Sequence, residues 1–248
     1  MEVKLVTHTP DPLTVIYAQA RMTTASGDFD AIYHNKASIA RKLELVTRTL
    51  DSEHWSVTRG VSFTFSIGGV SRACSHQLVR HVQGVSWEQQ SQRYKLVNVA
   101  SDWFVTPPTI AKNAERLATF LRGMAAAARE YQALLDAGVP GEDARMVLPN
   151  AARTNLVSTW SFEALHNFLG QRLCTRAQWE IRAVARAMRH QLMSVAPWAA
   201  PFLTIKCIPT GLCTEHAPGN CPLLDANGGR IRWAWAQPTE NDTGDDRT

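Results

Sequence analysis

A polar segment at residues 80–94 constrains this chain more than any other part of its sequence. It reads RHVQGVSWEQQSQRY and holds two arginines, a histidine, two serines, four glutamines and a glutamate. It follows an apolar, alternating run at 61–67, and burying so many polar groups for packing alone would be too costly. Arginine forks beside hydroxyl and amide groups suit a planar, anionic ligand. The segment therefore predicts a site for a nucleotide.

Composition places the chain among folded proteins that bind small anions. Hydrophobic residues make up 45% of the 248 residues and charged residues 19%, which is enough to bury a substantial core. The net charge of +4 is too small to indicate a nucleic-acid partner. No apolar run approaches the length of a membrane span, and the start at 1–4 is too polar for a signal peptide. We therefore expect a cytoplasmic protein that binds neither membranes nor nucleic acid.

The five cysteines argue against a disulfide framework, because their number is odd and no leader precedes them. The spacing of Cys207, Cys213, His216 and Cys221 would in principle allow a zinc site. The alternative, which we favour, is a loop with reduced thiols. We assign no metal site.

Hydrophobic periodicity predicts one α+β domain over residues 1–236 and a polar, disordered tail over 237–248. Strands are predicted at 3–6, 61–67 and 154–160, with Gly68-Gly69 interrupting the second. Helices are predicted at about 14–21, 36–49, 71–81, 109–137, 143–148, 162–173 and 176–195. We expect a mixed sheet accompanied by long helices.

Four blocks of this sequence resemble the flavin-dependent thymidylate synthase family, in the family's order. Segment 80–94 resembles its signature of Arg-His-Arg, a spacer and Ser-x-Arg-Tyr, and segment 167–180 resembles its Asn/His-Phe-x-x-x-Arg block with Ala-Gln-Trp-Glu-Ile. Arg145–Pro149 and Val3–Leu5 are further matches, so the resemblance spans residues 3 to about 195. It implies mixed α/β subunits that assemble as a homotetramer with active sites at subunit interfaces.

The resemblance also implies an activity. Such enzymes methylate C5 of a uridine monophosphate and take the carbon from methylenetetrahydrofolate. NADPH reduces the bound FAD, and the reduced flavin supplies the hydride. No cysteine attacks the pyrimidine, which agrees with the lack of cysteine in segment 80–94.

Arg172 matches the arginine that contacts the pyrimidine and favours its ionisation at N3, so we assign it as the catalytic residue. A fixed guanidinium at that place stabilises negative charge that spreads into the ring. Ser91 is assigned to binding only, because the sequence offers it no partner base. The residues predicted to hold the nucleotide are Gln77, Arg80, Gln90, Ser91, Gln92, Arg93, Arg145 and Arg172.

The residues that match flavin-contacting positions include several departures from the family pattern. Val82 replaces the second arginine of the triplet, and Arg59-Gly60 stands where the family has Glu-His. Ser161 and Glu163 occupy positions that usually carry asparagine and arginine, and Thr23-Thr24 replaces a frequent Cys-Tyr. The residues assigned to the cofactor are His54, Ser56, Arg80, His81, Val82, Gln89, Ser161, Glu163 and Asn167.

Three explanations of these departures remain open. Arg59 compensates electrostatically in an ordinary synthase, or the flavin binds weakly in a slower enzyme of secondary metabolism, or the chain is a non-catalytic nucleotide-binding paralogue. The retained nucleotide residues argue against the last. The pattern resembles the family's nucleoside-antibiotic branch, in the polyoxin pathway, which methylates UMP as well as dUMP. We therefore favour a UMP/dUMP methylase over a housekeeping, dUMP-specific thymidylate synthase.

Overall fold

The computed structural model describes residues 1–213, 221 and 223, and its centre is a four-stranded sheet. The strands are β1 Glu2–His8, β2 Ser62–Ser71, β3 Val85–Gln89 and β4 Arg153–Ser161, in the order β1-β2-β4-β3. Every neighbouring pair is antiparallel. The predicted mixed sheet is therefore wrong for the described residues. The reason is that β4 runs between β2 and β3, which point the same way but are never neighbours.

Helices cover most of the remaining described chain. They are α1 Pro12–Met22, α2 Phe29–Tyr33, α3 Ile39–Asp51, α4 Arg72–Leu78, α5 Pro108–Ala111, α6 Ala114–Asp136, α7 Gly141–Ala144, α8 Phe162–Arg172, α9 Trp179–Val195 and α10 Cys207–Thr210. Short 3₁₀ turns lie at Trp55–Thr58, Arg145–Val147 and Pro197–Ala199. None of the helices in the described part of the chain combines the length and apolar character needed to cross a bilayer.

The core lies on one face of the sheet, because alternate residues of the two central strands are apolar. Phe63 and Phe65 of β2 and Trp160 of β4 are completely buried in one cluster. Helix α9 adds Ile181 and Met188 to the same cluster. Burying an aliphatic or phenylalanine side chain of this kind contributes roughly 1.5–3 kcal/mol relative to leaving it exposed.

Strand β2 continues through the two glycines that were predicted to interrupt it. The pairing of β2 with β4 shifts register between Ile67 and Val70, and Gly69 has a φ of 70°, a left-handed conformation that favours glycine. The glycines therefore form a bulge, which turns Val70 into the core and ends the strand at Ser71.

A buried carboxylate fixes the junction between β2 and α4. Glu180, which is 3% exposed, accepts hydrogen bonds from the backbone N–H of Ser71 at 2.7 Å and from the Ser71 hydroxyl. The Ser71 oxygen in turn accepts from the N–H of Cys74 at 3.0 Å and caps α4. The block that carries Glu180 thus sets the position of a helix that is distant in sequence.

Two other elements differ from the prediction for local reasons. The helix predicted at 109–137 is divided into α5 and α6, because the Asn113 side chain accepts from the N–H of Arg116 at 2.9 Å and starts a new helix. Strand β3 was not predicted, since it lies inside the polar segment and its residues are at best half-buried. The domain boundary at 236, the tail at 237–248 and His216 fall outside the described residues.

Candidate functional site

Two buried side-chain nitrogens lack a hydrogen-bond partner in the described part of the chain, and both lie near the end of the polar segment. They are Arg72 Nε, at the start of α4, and Gln92 Nε2. The Arg72 guanidinium does donate through Nη2 to the carbonyl of Gln90, at 3.4 Å. An unsatisfied buried donor costs about 1–3 kcal/mol. These atoms therefore indicate a place where a ligand rich in acceptors would be stabilised.

Three arginines converge on this place. Arg93 Nε donates to the Glu142 carboxylate at 2.7 Å, and Arg145 Nε donates to the Glu142 carbonyl at 2.9 Å. Partial burial lowers the pKa of Arg72, and the positive charge of Arg145 lowers it further. The Glu142 carboxylate pairs with Arg93, whereas Arg72 and Arg145 repel each other, so a phosphate would relieve that repulsion and accept hydrogen bonds from the arginines. We name Arg72, Arg93 and Arg145 the cationic cluster.

The sequence did not single out Arg72, because it lies outside the polar segment. Arg72 contacts the Gln90 carbonyl, and Arg93 follows Gln90 by three residues in the chain. The Ser91 hydroxyl oxygen accepts from the Arg93 N–H at 3.2 Å. The Gln77 amide donates at 3.4 Å within its own helix. Arg80 is exposed in the turn after α4, without a hydrogen bond or ion pair to any described residue. The described contacts thus join neither Gln77 nor Arg80 to the cluster.

Arg172, the last residue of α8, is held by His81. Its Nε donates to His81 Nε2 at 3.0 Å, so His81 is neutral and carries its proton on Nδ1. Burial lowers the pKa of His81 to about 4, and the charge of Arg172 acts in the same direction. The imidazole packs edge-on against Phe168, and the His81 carbonyl accepts from Trp87 Nε1 at 2.9 Å. No hydrogen bond joins the Nη atoms of Arg172 to the described residues, so these atoms can donate to a planar oxygen ligand.

A cysteine that lies near this arrangement, Cys74, is not activated. Cys74 is completely buried on α4. Burial raises the pKa of its thiol, the charge of Glu180 raises it further, and Arg172 opposes these effects only weakly. A thiol of this kind stays protonated at neutral pH, and the geometry supports no thiolate nucleophile here.

In the region predicted to contact the flavin, the turn at 55–58 packs against helix α8. The Trp55 and His166 rings stack with centroids 3.7 Å apart, and His166 Nδ1 lies 2.7 Å from the Phe202 carbonyl. Burial lowers the pKa of His166, so we assign it as neutral, with Nδ1 donating. The predicted flavin residues His54, Ser56 and Asn167 are exposed on these two elements. The sequence did not identify Trp55 or His166 as the pair that joins them.

Two of the departures from the family pattern, Arg59 and Glu163, contact each other in space. Arg59 forms a two-fold ion pair with Glu163, with Nη2 and Oε1 at 3.1 Å and Nε against the other carboxylate oxygen. Gly60 leaves the space that the Gln19 side chain occupies, since a Cβ there would collide with the Gln19 amide. Ser161 caps α8, and its N–H donates to the Gly84 carbonyl at 2.8 Å.

Two residues assigned to the cofactor have polar groups that are already used within the fold. The Gln89 amide nitrogen donates to the hydroxyls of Ser75 and Thr154, both at 3.1 Å. The Ser161 hydroxyl accepts from the Ala164 N–H at 3.2 Å. Val82 is 69% exposed in the turn after α4.

The cysteine segment gives no metal centre in the described chain, where no three candidate ligands are arranged to hold an ion. Burial raises the pKa of the Cys207 thiol to about 11, with a further contribution from nearby Cys213. Cys221 Sγ lies 3.5 Å from the Thr175 hydroxyl. Because His216 lies outside the described residues, the reduced thiols stay a prediction.

Comparisons with known proteins agree with the arrangement. The family model described as thymidylate synthase complementing protein matches residues 4–198. Flavin-dependent thymidylate synthases of Geobacter sulfurreducens and Nitratidesulfovibrio vulgaris are 42% and 41% identical over 217 and 231 residues. Those alignments cover 87% and 88% of this chain and 91% and 93% of the relatives.

Solved structures show the same fold. The UMP/dUMP methylase PolB from Streptomyces cacaoi, bound with 5-Br dUMP, superposes with a TM-score of 0.69 at 26% identity, covering 81% of this chain and 93% of PolB. ThyX from Helicobacter pylori, complexed with FAD and dUMP, gives 0.66 at 21% identity, covering 84% and 99%, a likeness that concerns the fold alone. With relatives above 40% identity over nearly their whole length, the chain belongs to the flavin-dependent thymidylate synthases.

Proposed function

We propose that this protein methylates C5 of dUMP in a flavin-dependent reaction, with methylenetetrahydrofolate as carbon donor and NADPH as reductant. The observation that carries the proposal is the combination of an immobilised Arg172 with the separate cationic cluster. The first suits a planar base that acquires negative charge, and the second suits a phosphate. A nucleoside monophosphate contains both groups.

In this proposal the cationic cluster holds the nucleotide phosphate. The unpartnered Arg72 Nε and Gln92 Nε2 then gain acceptors, and the cations gain a counter-charge. Ser91, Gln90, Arg93 and Arg145 act as binding residues beside them. Gln77 and Arg80 stay candidates for the sugar and phosphate, supported by the family resemblance.

Arg172 acts on the base. Its guanidinium favours the N3-ionised pyrimidine, which places electron density at C5, the carbon that accepts the methyl group. His81 is a positioning residue, because its neutral Nε2 accepts from Arg172 Nε and so fixes the plane of the guanidinium. No covalent attack by the enzyme is required, in keeping with the protonated Cys74.

The surface formed by the turn at 55–58 and α8 fits FAD, which supplies hydride chemistry when it is bound and reduced. Exposed His54, Ser56 and Asn167 offer hydrogen-bonding groups, and the stacked Trp55 and His166 rings keep the two elements in place. We propose that these three polar residues contact the cofactor. Gln89 and Ser161 then act on the flavin side through the fold that they stabilise.

Assembly as a homotetramer is part of the proposal. Helix α6 has 23 residues, of which only Tyr131 is buried within the described subunit. Such an exposed helix offers a surface to a second copy of the chain. Light scattering of the purified protein tests the expected mass of four subunits.

A second candidate is a methylase that accepts UMP as well as dUMP, in nucleoside-antibiotic biosynthesis. The likeness to PolB favours it. The higher identity to thymidylate synthases favours housekeeping production of thymidylate. This identity leads us to rank dUMP methylation first, in place of the preference drawn from the flavin-side departures.

The decisive experiment measures both nucleotides by mass spectrometry under identical conditions. Purified protein with FAD, NADPH and methylenetetrahydrofolate should convert dUMP to a product with one added methyl group, and omitting any one component should abolish it. Equal turnover of UMP would favour the second candidate. Nucleotide binding without a methylated product at saturating cofactors would instead indicate a non-catalytic paralogue.

A further inference from the structure

The departures on the flavin side meet at the N-terminal end of α8. The turn that contains Val82 packs there, since the Gly84 carbonyl accepts from the Ser161 N–H at 2.8 Å. A Cβ on Gly84 would lie 2.5 Å from the Ser161 hydroxyl oxygen, so the approach is close. Glu163 lies in the first turn of the same helix, and Arg59 reaches it from the 3₁₀ turn.

The positively charged residues at the N-terminal end of α8 stand at other positions than in the family pattern. The family pattern has arginines at positions 82 and 163 and a glutamate at 59, whereas this chain has valine, glutamate and arginine there. Arg59 is therefore the cation that remains among these three positions. The local net charge is lower by one than in the family pattern, so the charge of Arg59 matters more here.

Arg59 is held in a way that leaves it able to bind a ligand. Its side chain is 64% exposed, while that of Glu163 is 23% exposed. The hydrogen bond from Arg59 lowers the pKa of Glu163, and the same contact raises the pKa of Arg59, so both groups are charged. Nε and Nη2 face Glu163, and Nη1 meets no described acceptor. A guanidinium has donors on both edges and can bridge two anions.

We propose that Arg59, oriented by Glu163, replaces the arginine missing at position 82 and pairs with the diphosphate of FAD. The inference rests on the proposed function, because it requires a bound flavin dinucleotide. Arg59 is then a cofactor-binding residue, and Glu163 is a positioning residue that orients the fork. The charge reversal at 163 belongs to the same change, since an arginine there would repel Arg59.

The experiment measures the dissociation constant of FAD for the oxidised protein, by flavin fluorescence, across a range of salt concentrations. Arg59→Ala should weaken FAD binding about 10-fold and flatten the salt dependence, because one charge-assisted contact is lost. Adding Val82→Arg to that variant should recover most of the affinity. Glu163→Gln should give a smaller loss than Arg59→Ala, because the guanidinium keeps its charge but loses its orientation.

Arg41→Ala is the matched control, because Arg41 forms a similarly exposed ion pair with Glu44 on α3, and it should leave FAD affinity unchanged. Wild-type affinity in Arg59→Ala overturns the assignment. A loss without a change in salt dependence, or without recovery by Val82→Arg, also overturns it, because Arg59 would then act on the fold. If the wild-type chain binds no FAD at all, the proposed function fails. If it binds FAD and Arg59→Ala binds it equally well, only this inference fails.

Discussion

The proposed nucleotide side and the proposed flavin side of this molecule differ in how their charged side chains are paired. On the proposed nucleotide side, Arg93 pairs with the Glu142 carboxylate, Arg145 donates to the Glu142 carbonyl, and buried nitrogens of Arg72 and Gln92 have no partner among the described residues. On the flavin side, Arg59 and Glu163 satisfy each other, and Gly60 is matched to Gln19. A site that leaves cations unpaired depends on its ligand for charge balance. A site that pairs them can vary in sequence while keeping its shape.

The largest expected effect separates the chemical step from both binding sites. Arg172→Ala should lower kcat by about 10²–10³-fold, because the guanidinium acts mainly on the charge that develops in the ring. Affinity for FAD should change little. Steady-state kinetics with dUMP checks the first, and flavin titration checks the second. Normal turnover in this variant would remove Arg172 from the catalytic role, and Arg48→Ala, on an exposed position of α3, is the control.

The next largest effect should concern the affinity for the nucleotide alone. Arg72→Ala should weaken dUMP binding about 10- to 100-fold, since a hydrogen bond to a charged group contributes about 1.5–3 kcal/mol. The same variant should keep its affinity for FAD, which Arg59→Ala should not. Calorimetric titration with dUMP measures the loss. An unchanged dissociation constant would show that the phosphate lies elsewhere.

The smallest effect concerns pH. Because burial lowers the pKa of His81 to about 4 from an ordinary 6.5, the unfolded chain binds a proton that the folded chain rejects between these values. Stability from this group is complete above pH 6.5 and decreases as the pH falls towards 4. Urea unfolding at a series of pH values should show this loss, and His81→Asn should reduce it. An equal loss in that variant would assign it to other groups, such as His166.

Local rules predicted the elements that carry strong periodicity. The runs of β2 and β4 and the helices α8 and α9 were identified from hydrophobic spacing. Strand β3 was missed because it lies inside the polar segment, and among the described strands it pairs with β4 alone. The Gly68-Gly69 bulge was taken as a break, because sequence does not tell whether a glycine ends pairing or shifts its register.

The sequence by itself determined the type of ligand and the catalytic candidate, because the arginine, serine and glutamine positions of the family signature are present in order. It also identified departures from the family pattern at positions predicted to contact the flavin. Only the tertiary structure decided what those departures mean, since Arg59 and Glu163 are 104 residues apart and their pairing depends on how α8 packs against the 3₁₀ turn. Likewise, the contact between His81 and Arg172 spans 91 residues, and folding alone makes one of these side chains the support of the other.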